Sequence, residues 1–270
     1  MQSYLGALTT YNMGKELKVA LVQSSLVWEN PDKNRTNFKK QIAEISKDTD
    51  LVILPEMFTS GFTMHPENMA KDQGNITLLW MQQVAREHHM AIVGSAVYYE
   101  NGTYTNRLLF VTPDGDCSYY DKRHTFTLAG ENLVYAAGKN KLILHYKGFK
   151  ICPLICYDLR FPVWSRNVEE YDMLIYVANW PKQRIVAWDT LLKARAIENM
   201  AYVIGVNRIG LDNNGHEYCG HSAVYDLLGQ PLVFSDREEV LYASLTREHI
   251  TKVRKELKFL DDRDGFTLEG

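Results

Sequence analysis

Two alternating periods run along the chain. Short apolar runs rich in β-branched residues predict strands: LKVALVQ (17–23), DLVILPE (50–56), AIVGSAVYY (91–99), KICPLIC (150–156), DMLIYVAN (172–179) and AYVIGVN (201–207). Between them lie helical spacings. NFKKQIAEI (37–45) spaces Phe38, Ile42 and Ile45 for one helix face. ITLLWMQQVAREHHM (76–90) predicts a second helix with Ile76, Leu79, Trp80 and Val84 on one side, and 184–200 predicts a third. NGTY (101–104) reads as a turn into the strand TNRLLFV (105–111), and PDGD (113–116) as another turn. HSAVYDLLGQPLVFSD (221–236) and EVLYASL (239–245) read as hairpins. Strands alternating with helices make this an α/β chain, and two packed sheets with helices outside suit it. No repeat, linker or low-complexity segment divides it.

Composition narrows the partners. The 270 residues are 46% hydrophobic and 23% charged, enough for a sizeable core. A net charge of -3 carries no basic excess, so nucleic acid is not an expected partner. No apolar run reaches the ~18 residues of a membrane span, so no membrane partner is expected either. The N-terminus lacks the basic region of a secretory signal. Residues 1–14 read as an extension ahead of a single domain at 15–270, with Met13 as a candidate natural start.

Four cysteines occur, at 117, 152, 156 and 219. Cys152 and Cys156 on one extended strand would stand about 13 Å apart, beyond disulfide reach. Zinc-type spacing is lacking, so no metal is expected. The pattern fits a reducing, cytoplasmic compartment.

Polar chemistry gathers where apolar strands stop. Glu56 follows LVILP; Cys156 follows CPLI; Asn179 and Trp180 follow LIYVA. The carboxyl ends of strands are where α/β folds build sites. A carboxylate there is partly desolvated, which suits a base near neutral pH. Taken singly, each residue also has a plain structural reading: a helix-capping Glu56, a core Cys156, a solvated Lys122.

Taken together, LVILPEMF (51–58), YYDKRHTF (119–126) and PLICYDLRFP (153–162) resemble the glutamate, lysine and cysteine motifs of the nitrilase superfamily of carbon–nitrogen hydrolases, in the family's order. KARAIENMAYVIGVNRIG (193–210) resembles the family's stretch downstream of the cysteine, and the likeness runs from about Lys15 to Phe259. HTFTLAGENLVYAAG, CYDLRFPVWSRN and YVANWP are similar to the omega-amidase branch, which deamidates 2-oxo acid amides such as 2-oxoglutaramate. The resemblance implies an αββα four-layer sandwich, a homodimer or higher homo-oligomer, and amide hydrolysis through a thioester without a cofactor. It assigns Cys156 as nucleophile and Glu56 as proton shuttle. Lys122 and the Tyr157 backbone N–H become oxyanion donors, with the lysine's charge also favouring the thiolate. Glu131 becomes a second glutamate that positions the lysine or the substrate.

Asp158 and Arg160 read as a pair that locks the turn after Cys156. Phe62, Phe126 and Trp180 adjoin motif residues and are candidate walls of a small pocket, or else core. Arg184 is a candidate for the substrate carboxylate, or else an exposed helix charge. Three other readings stay open: a nitrilase with the same triad, an N-carbamoyl amidase, and a catalytically silent binding or scaffold protein.

Overall fold

The computed structural model describes residues 16–268. The expected extension at 1–14 and the start at Met13 lie outside the described residues. Strands β1 (Glu16–Gln23), β2 (Leu51–Ile53) and β3 (Ala91–Glu100) alternate with helices α1 (Pro31–Ala43) and α2 (Gln73–His88). Strands β4 (Thr103–Val111) and β5 (Cys117–Asp121) follow, then a one-turn helix α3 (Glu131–Val134). A second series runs β6 (Leu144–Tyr146), β7 (Phe149–Ile155), the short α4 (Pro162–Ser165), β8 (Met173–Ala178), α5 (Ile185–Asn199) and β9 (Tyr202–Asn207). After a small ribbon of β10 (Ile209–Leu211) and β11 (Glu217–Cys219) come β12 (Ser222–Tyr225), β13 (Pro231–Ser235), β14 (Glu239–Thr246) and α6 (Arg247–Leu257).

Two six-stranded sheets result, ordered β14-β1-β2-β3-β4-β5 and β13-β12-β9-β8-β7-β6. Each has a parallel centre, β1-β2-β3 in one and β7-β8-β9 in the other, with antiparallel strands outside. Strand alternation then assigns the layers. Leu17, Val19 and Leu21 of β1 and Leu51 and Ile53 of β2 share one core with Ile151 and Leu154 of the second sheet. Their neighbours Ala20, Val22 and Val52 face Phe38 and Ile42 of α1 and Met81 and Val84 of α2. On the second sheet, a Cβ at Gly205 would lie 2.4 Å from Leu192 and 2.7 Å from Trp188, so only glycine lets α5 seat this closely on β9. The layers are therefore helix, sheet, sheet, helix: the expected αββα sandwich.

Two expectations need correction. Helix α2 buries Gly74, Thr77, Met81, Val84 and Ala85, whereas Ile76 and Leu79 are 37% and 65% exposed. Small residues set this face: Gly74 rests directly on Tyr98, where a Cβ would come within 2.5 Å. Close approach outweighed the larger side chains. In addition, β14 does not join β13 in a hairpin. It crosses to the first sheet and pairs antiparallel with β1, Leu245 opposite Leu17 and Leu241 opposite Leu21. That pairing satisfies the backbone groups along the β1 edge. The β12–β13 hairpin is as expected, and so is the β3–β4 turn, with Asn101 and Gly102 both at positive φ.

Candidate active site

Beyond β2 the chain passes through Leu54 and Pro55 to Glu56, and Met57 then takes φ 43°. The Leu54 N–H donates to the Val93 carbonyl (2.8 Å) and the Met57 N–H to Ser95 Oγ (2.9 Å), tying this turn to β3. Cys156 also sits in the left-handed region, at φ 42°, where β7 breaks into the turn Cys156–Arg160. A non-glycine residue there costs on the order of 1–3 kcal/mol, so neighbours must hold it.

Asp158 does so. Its buried carboxylate accepts from the Ile155 N–H (3.0 Å), the His124 N–H (3.0 Å) and Tyr120 Oη (2.8 Å), and it pairs with His124 Nδ1 (2.8 Å). The expected Asp158–Arg160 pair does not form. Those donors occupy the carboxylate, and Arg160 leaves the far side of the turn to lie over the Trp180 ring at 4.9 Å. Tyr157 is the second residue of the turn. Its N–H belongs to a first helical turn, where no intrahelical acceptor exists.

Glu56, Lys122 and Glu131 meet in one buried cluster, exposed by only 0%, 1% and 0%. Lys122 Nζ lies 2.9 Å from Glu56 Oε1 and 2.9 Å from Glu131 Oε2. Lys122 directly follows β5, and its N–H bonds the Asn106 carbonyl on β4 (3.0 Å). Asn106 Nδ2 then donates to Glu56 Oε1 (2.8 Å) and Glu131 Oε1 (3.2 Å). The second Glu56 oxygen accepts the Asn179 N–H at 2.8 Å. Glu131 also accepts the Phe126 N–H, at 2.5 Å. The Cys156 thiol sits 3.9 Å from the Asn179 carbonyl.

Burial would push the Lys122 ammonium down, but Glu131 and Glu56 outweigh it and hold the lysine charged. Burial raises Glu131 while Lys122 pulls it back. The Cys156 thiol is pushed well above its ordinary value, by burial first and the Glu56 charge second; Lys122 opposes both. The lysine charge thus pulls toward the thiolate, and burial together with Glu56 outweighs it.

Cys156 and Lys122 open onto a cavity of ≈ 240 Å³. Phe62, Phe126, Trp180 and Arg184, the four candidate pocket residues, all line it. Phe62 lies beneath Lys122 Nζ at 5.1 Å, and Arg184 lies over Phe126 at 5.2 Å. Trp180 is fixed by its indole N–H on the Arg184 carbonyl (2.8 Å) and its backbone N–H on Asn207 Oδ1 (2.7 Å). Asp212 borders the cavity too. Its carboxylate is already occupied by the Asn214 and His216 N–H groups and Tyr218 Oη, each at 2.9 Å. Among the described residues no group of three His, Cys, Asp or Glu could hold a metal ion, and no helix is long and apolar enough to cross a membrane.

A carbon–nitrogen hydrolase family model matches residues 18–255. The chain belongs to the carbon–nitrogen hydrolase family. It is 41% identical over 254 residues to the omega-amidase YafV of Escherichia coli K12, covering 93% of this chain and 98% of that one. It is 31% identical to the 2-oxoglutaramate amidase of Bacillus subtilis, covering 90% and 96%. Among solved structures, XC1258 from Xanthomonas campestris superposes with a TM-score of 0.92 at 42% identity, over 94% of this chain and 99% of that one. XC1258 is described as a CN-hydrolase superfamily protein with an arsenic adduct in its active site.

Sequence reasoning left some of this hydrolase site without a role. Asn106 lies among Thr103, Thr105 and Arg107 in the polar half of its strand, so no local signal singled it out. Asn179 stood out at its strand end, but its bonds to Glu56 depend on the two sheets meeting. Arg160 drew attention as a turn residue, when in the fold it borders the cavity.

Proposed function

We propose that this hydrolase is an omega-amidase: it releases ammonia from the terminal amide of a small 2-oxo acid, such as 2-oxoglutaramate or 2-oxosuccinamate, through a thioester. The observation that carries the reading is that Cys156 and Lys122 line one small cavity while the buried Glu56 is bonded to that lysine. The likeness to two omega-amidase-type relatives supports the substrate class.

The chemistry follows from the contacts. Glu56 takes the thiol proton as Cys156 Sγ attacks the amide carbonyl, so no standing thiolate is needed. The tetrahedral oxyanion is stabilised by Lys122 Nζ and the Tyr157 N–H, donors typically worth ~3 kcal/mol each. Glu56 passes the proton to the departing nitrogen and ammonia leaves. Glu56 then deprotonates water for attack on the thioester, and the carboxylic acid and free thiol emerge. Glu131 and Asn106 hold Lys122 and Glu56 in register throughout.

An amino acid amide would bring an α-ammonium into the same cavity. Asp212, a carboxylate lining the cavity, is held in place by three neutral donors, and an α-ammonium not seated on it would be desolvated without a partner. A planar oxo group avoids this cost. The four cysteines are free, which supports a reducing, cytoplasmic setting. A homodimer or larger homo-oligomer belongs to the same proposal.

An ammonia-release screen tests the assignment. It should span glutamine, asparagine, their 2-oxo analogues, simple aliphatic amides and nitriles. The 2-oxo acid amides should be hydrolysed far better than the amino acids. A preference for glutamine over 2-oxoglutaramate would remove the branch assignment and leave the thiol chemistry standing; nitrile turnover would point to a nitrilase.

A further inference from the structure

The Lys122 ammonium carries three N–H donors. Two are taken by carboxylates: Nζ lies 2.9 Å from Glu56 Oε1 and 2.9 Å from Glu131 Oε2. Beyond these two carboxylates, no hydrogen-bond acceptor among the described residues meets Nζ. An aromatic ring stands close by instead, with the Phe62 centroid 5.1 Å from Nζ. Phe62 is half-buried and lines the cavity together with Lys122, whereas Glu56 and Glu131 are fully buried. The backbone on either side fixes the ring. Gly61 takes φ 76° and donates its N–H to the Met57 carbonyl (2.8 Å). Tyr135 Oη donates to the Thr63 carbonyl (2.8 Å), and the Thr63 hydroxyl donates to Glu29 (2.5 Å).

We infer that Phe62 is a positioning residue for the oxyanion donor: its π face meets the third N–H of Lys122 from the cavity side and keeps it dry and free until the oxyanion forms. The inference rests on Lys122 being the oxyanion donor of the proposed function. Two anions draw the ammonium into the protein interior, away from the cavity that a substrate must occupy. The negative face of the ring pulls from the other direction, and such a contact strengthens in a desolvated site. A carbonyl or carboxylate in the place of the ring would hold the third N–H too well, because that bond would have to break before the oxyanion could form one. Water there would have to be displaced. A π face is a weaker partner than either, so the donor is oriented beforehand and released at little cost. An aliphatic side chain would exclude water too, but it has no quadrupole to set against the two carboxylates. The carboxylates keep the lysine charged, and the ring keeps that charge where the reaction uses it.

Graded fluorination separates this role from packing. Phe62 is replaced by 4-fluoro-, 3,5-difluoro- and 3,4,5-trifluorophenylalanine, which keep the shape of the ring and progressively drain its negative face. For 2-oxoglutaramate, kcat should fall stepwise, by ~10-fold for the trifluorinated ring, with KM changed by less than ~2-fold. Phe62→Leu, which removes the ring, should lose at least as much. A second readout needs no turnover. Butanal adds to the Cys156 thiol: the Sγ–C bond forms, the carbonyl π bond opens and the thiol proton ends on the oxygen. The tetrahedral adduct places that oxygen at the donor site. Its affinity, read as protection of Cys156 from iodoacetamide, should fall along the same fluorine series. A flat series in either readout, or a loss carried by KM, would overturn the role of Phe62 while turnover of 2-oxoglutaramate kept the proposed function. A wild-type protein inactive on 2-oxoglutaramate, whose butanal affinity still tracked fluorination, would sink the proposed function and keep the role of Phe62.

Discussion

Asn179 grips Glu56 twice, its backbone N–H on the Glu56 carboxylate (2.8 Å) and its side-chain Nδ2 on the Glu56 carbonyl (2.6 Å). The two residues follow β8 and β2, strands of opposite sheets, so this contact sets the position of the proposed base relative to the thiol. Asn179→Ala keeps the backbone donor and loses the side-chain one. The Glu56 carbonyl is then left buried without that partner, a cost of about 1–3 kcal/mol. We expect kcat to fall ~10- to 100-fold from misplacement of the base, with KM little changed. A chemical denaturation curve and steady-state kinetics check the two parts; wild-type kcat would make the contact purely structural.

The two strand cysteines should behave oppositely. Cys156→Ala removes the proposed nucleophile at a cavity edge, so turnover should vanish while the fold persists. Cys152 is fully buried within β7. Cys152→Ala should retain turnover with a modest loss of stability. The reverse outcome, scored by ammonia release and circular dichroism, would reassign the nucleophile.

Removing the base should make the thiol more acidic even as catalysis fails. The Glu56 charge helps push the Cys156 thiol up, and Lys122 pulls it down. Glu56→Gln should therefore lower the apparent pKa for iodoacetamide alkylation while turnover drops by roughly 10²–10⁴-fold. In Lys122→Met the alkylation pKa should rise instead. A Glu56→Gln alkylation profile shifted upward would show that charge is not what raises this thiol.

Lys122, the proposed oxyanion donor, is also one member of a buried ion-pair cluster. Lys122→Met strands two buried carboxylates beside each other. Breaking a buried ion pair from one side typically costs about 3–5 kcal/mol. The variant should thus lose Tm and activity together, and acidic pH should return part of the Tm by protonating a carboxylate. An unchanged Tm across pH would contradict the ion-pair geometry.

Alkaline pH should unfold the protein. Burial raises Tyr120 and Tyr171 well above the ordinary tyrosine value of 10.0, and raises Cys152 and Cys156 above the cysteine value of 9.0. All four are raised on folding, so their contribution is complete below those ordinary values. It is lost as pH climbs through them toward the folded-state values, because the unfolded chain releases protons first. Thermal melts from neutral pH upward should show Tm falling beyond about pH 9. A flat profile into that range would mean these groups ionise freely in the folded protein.

Local pattern determined a definite share of this protein. Strand runs, the Asn101–Gly102 turn and the β12–β13 hairpin are short-range events, set by side-chain alternation and turn residues a few positions apart. Glu56, Lys122 and Cys156 were singled out as candidates because the three motifs that carry them are contiguous. Other features depended on which surfaces met. The outward face of α2 followed from Gly74 resting on Tyr98, and the destination of β14 from the β1 edge it completes. Asn106 became a site residue through its register with Lys122, and Asn179 through the packing of one sheet on the other. Arg160 changed meaning altogether, from partner of Asp158 to rim of the cavity, because Tyr120 and His124 fill the Asp158 carboxylate from a strand and loop more than thirty residues away. Propensity and motif act along the chain, whereas hydrogen-bond competition and close approach are settled only when distant segments share one volume.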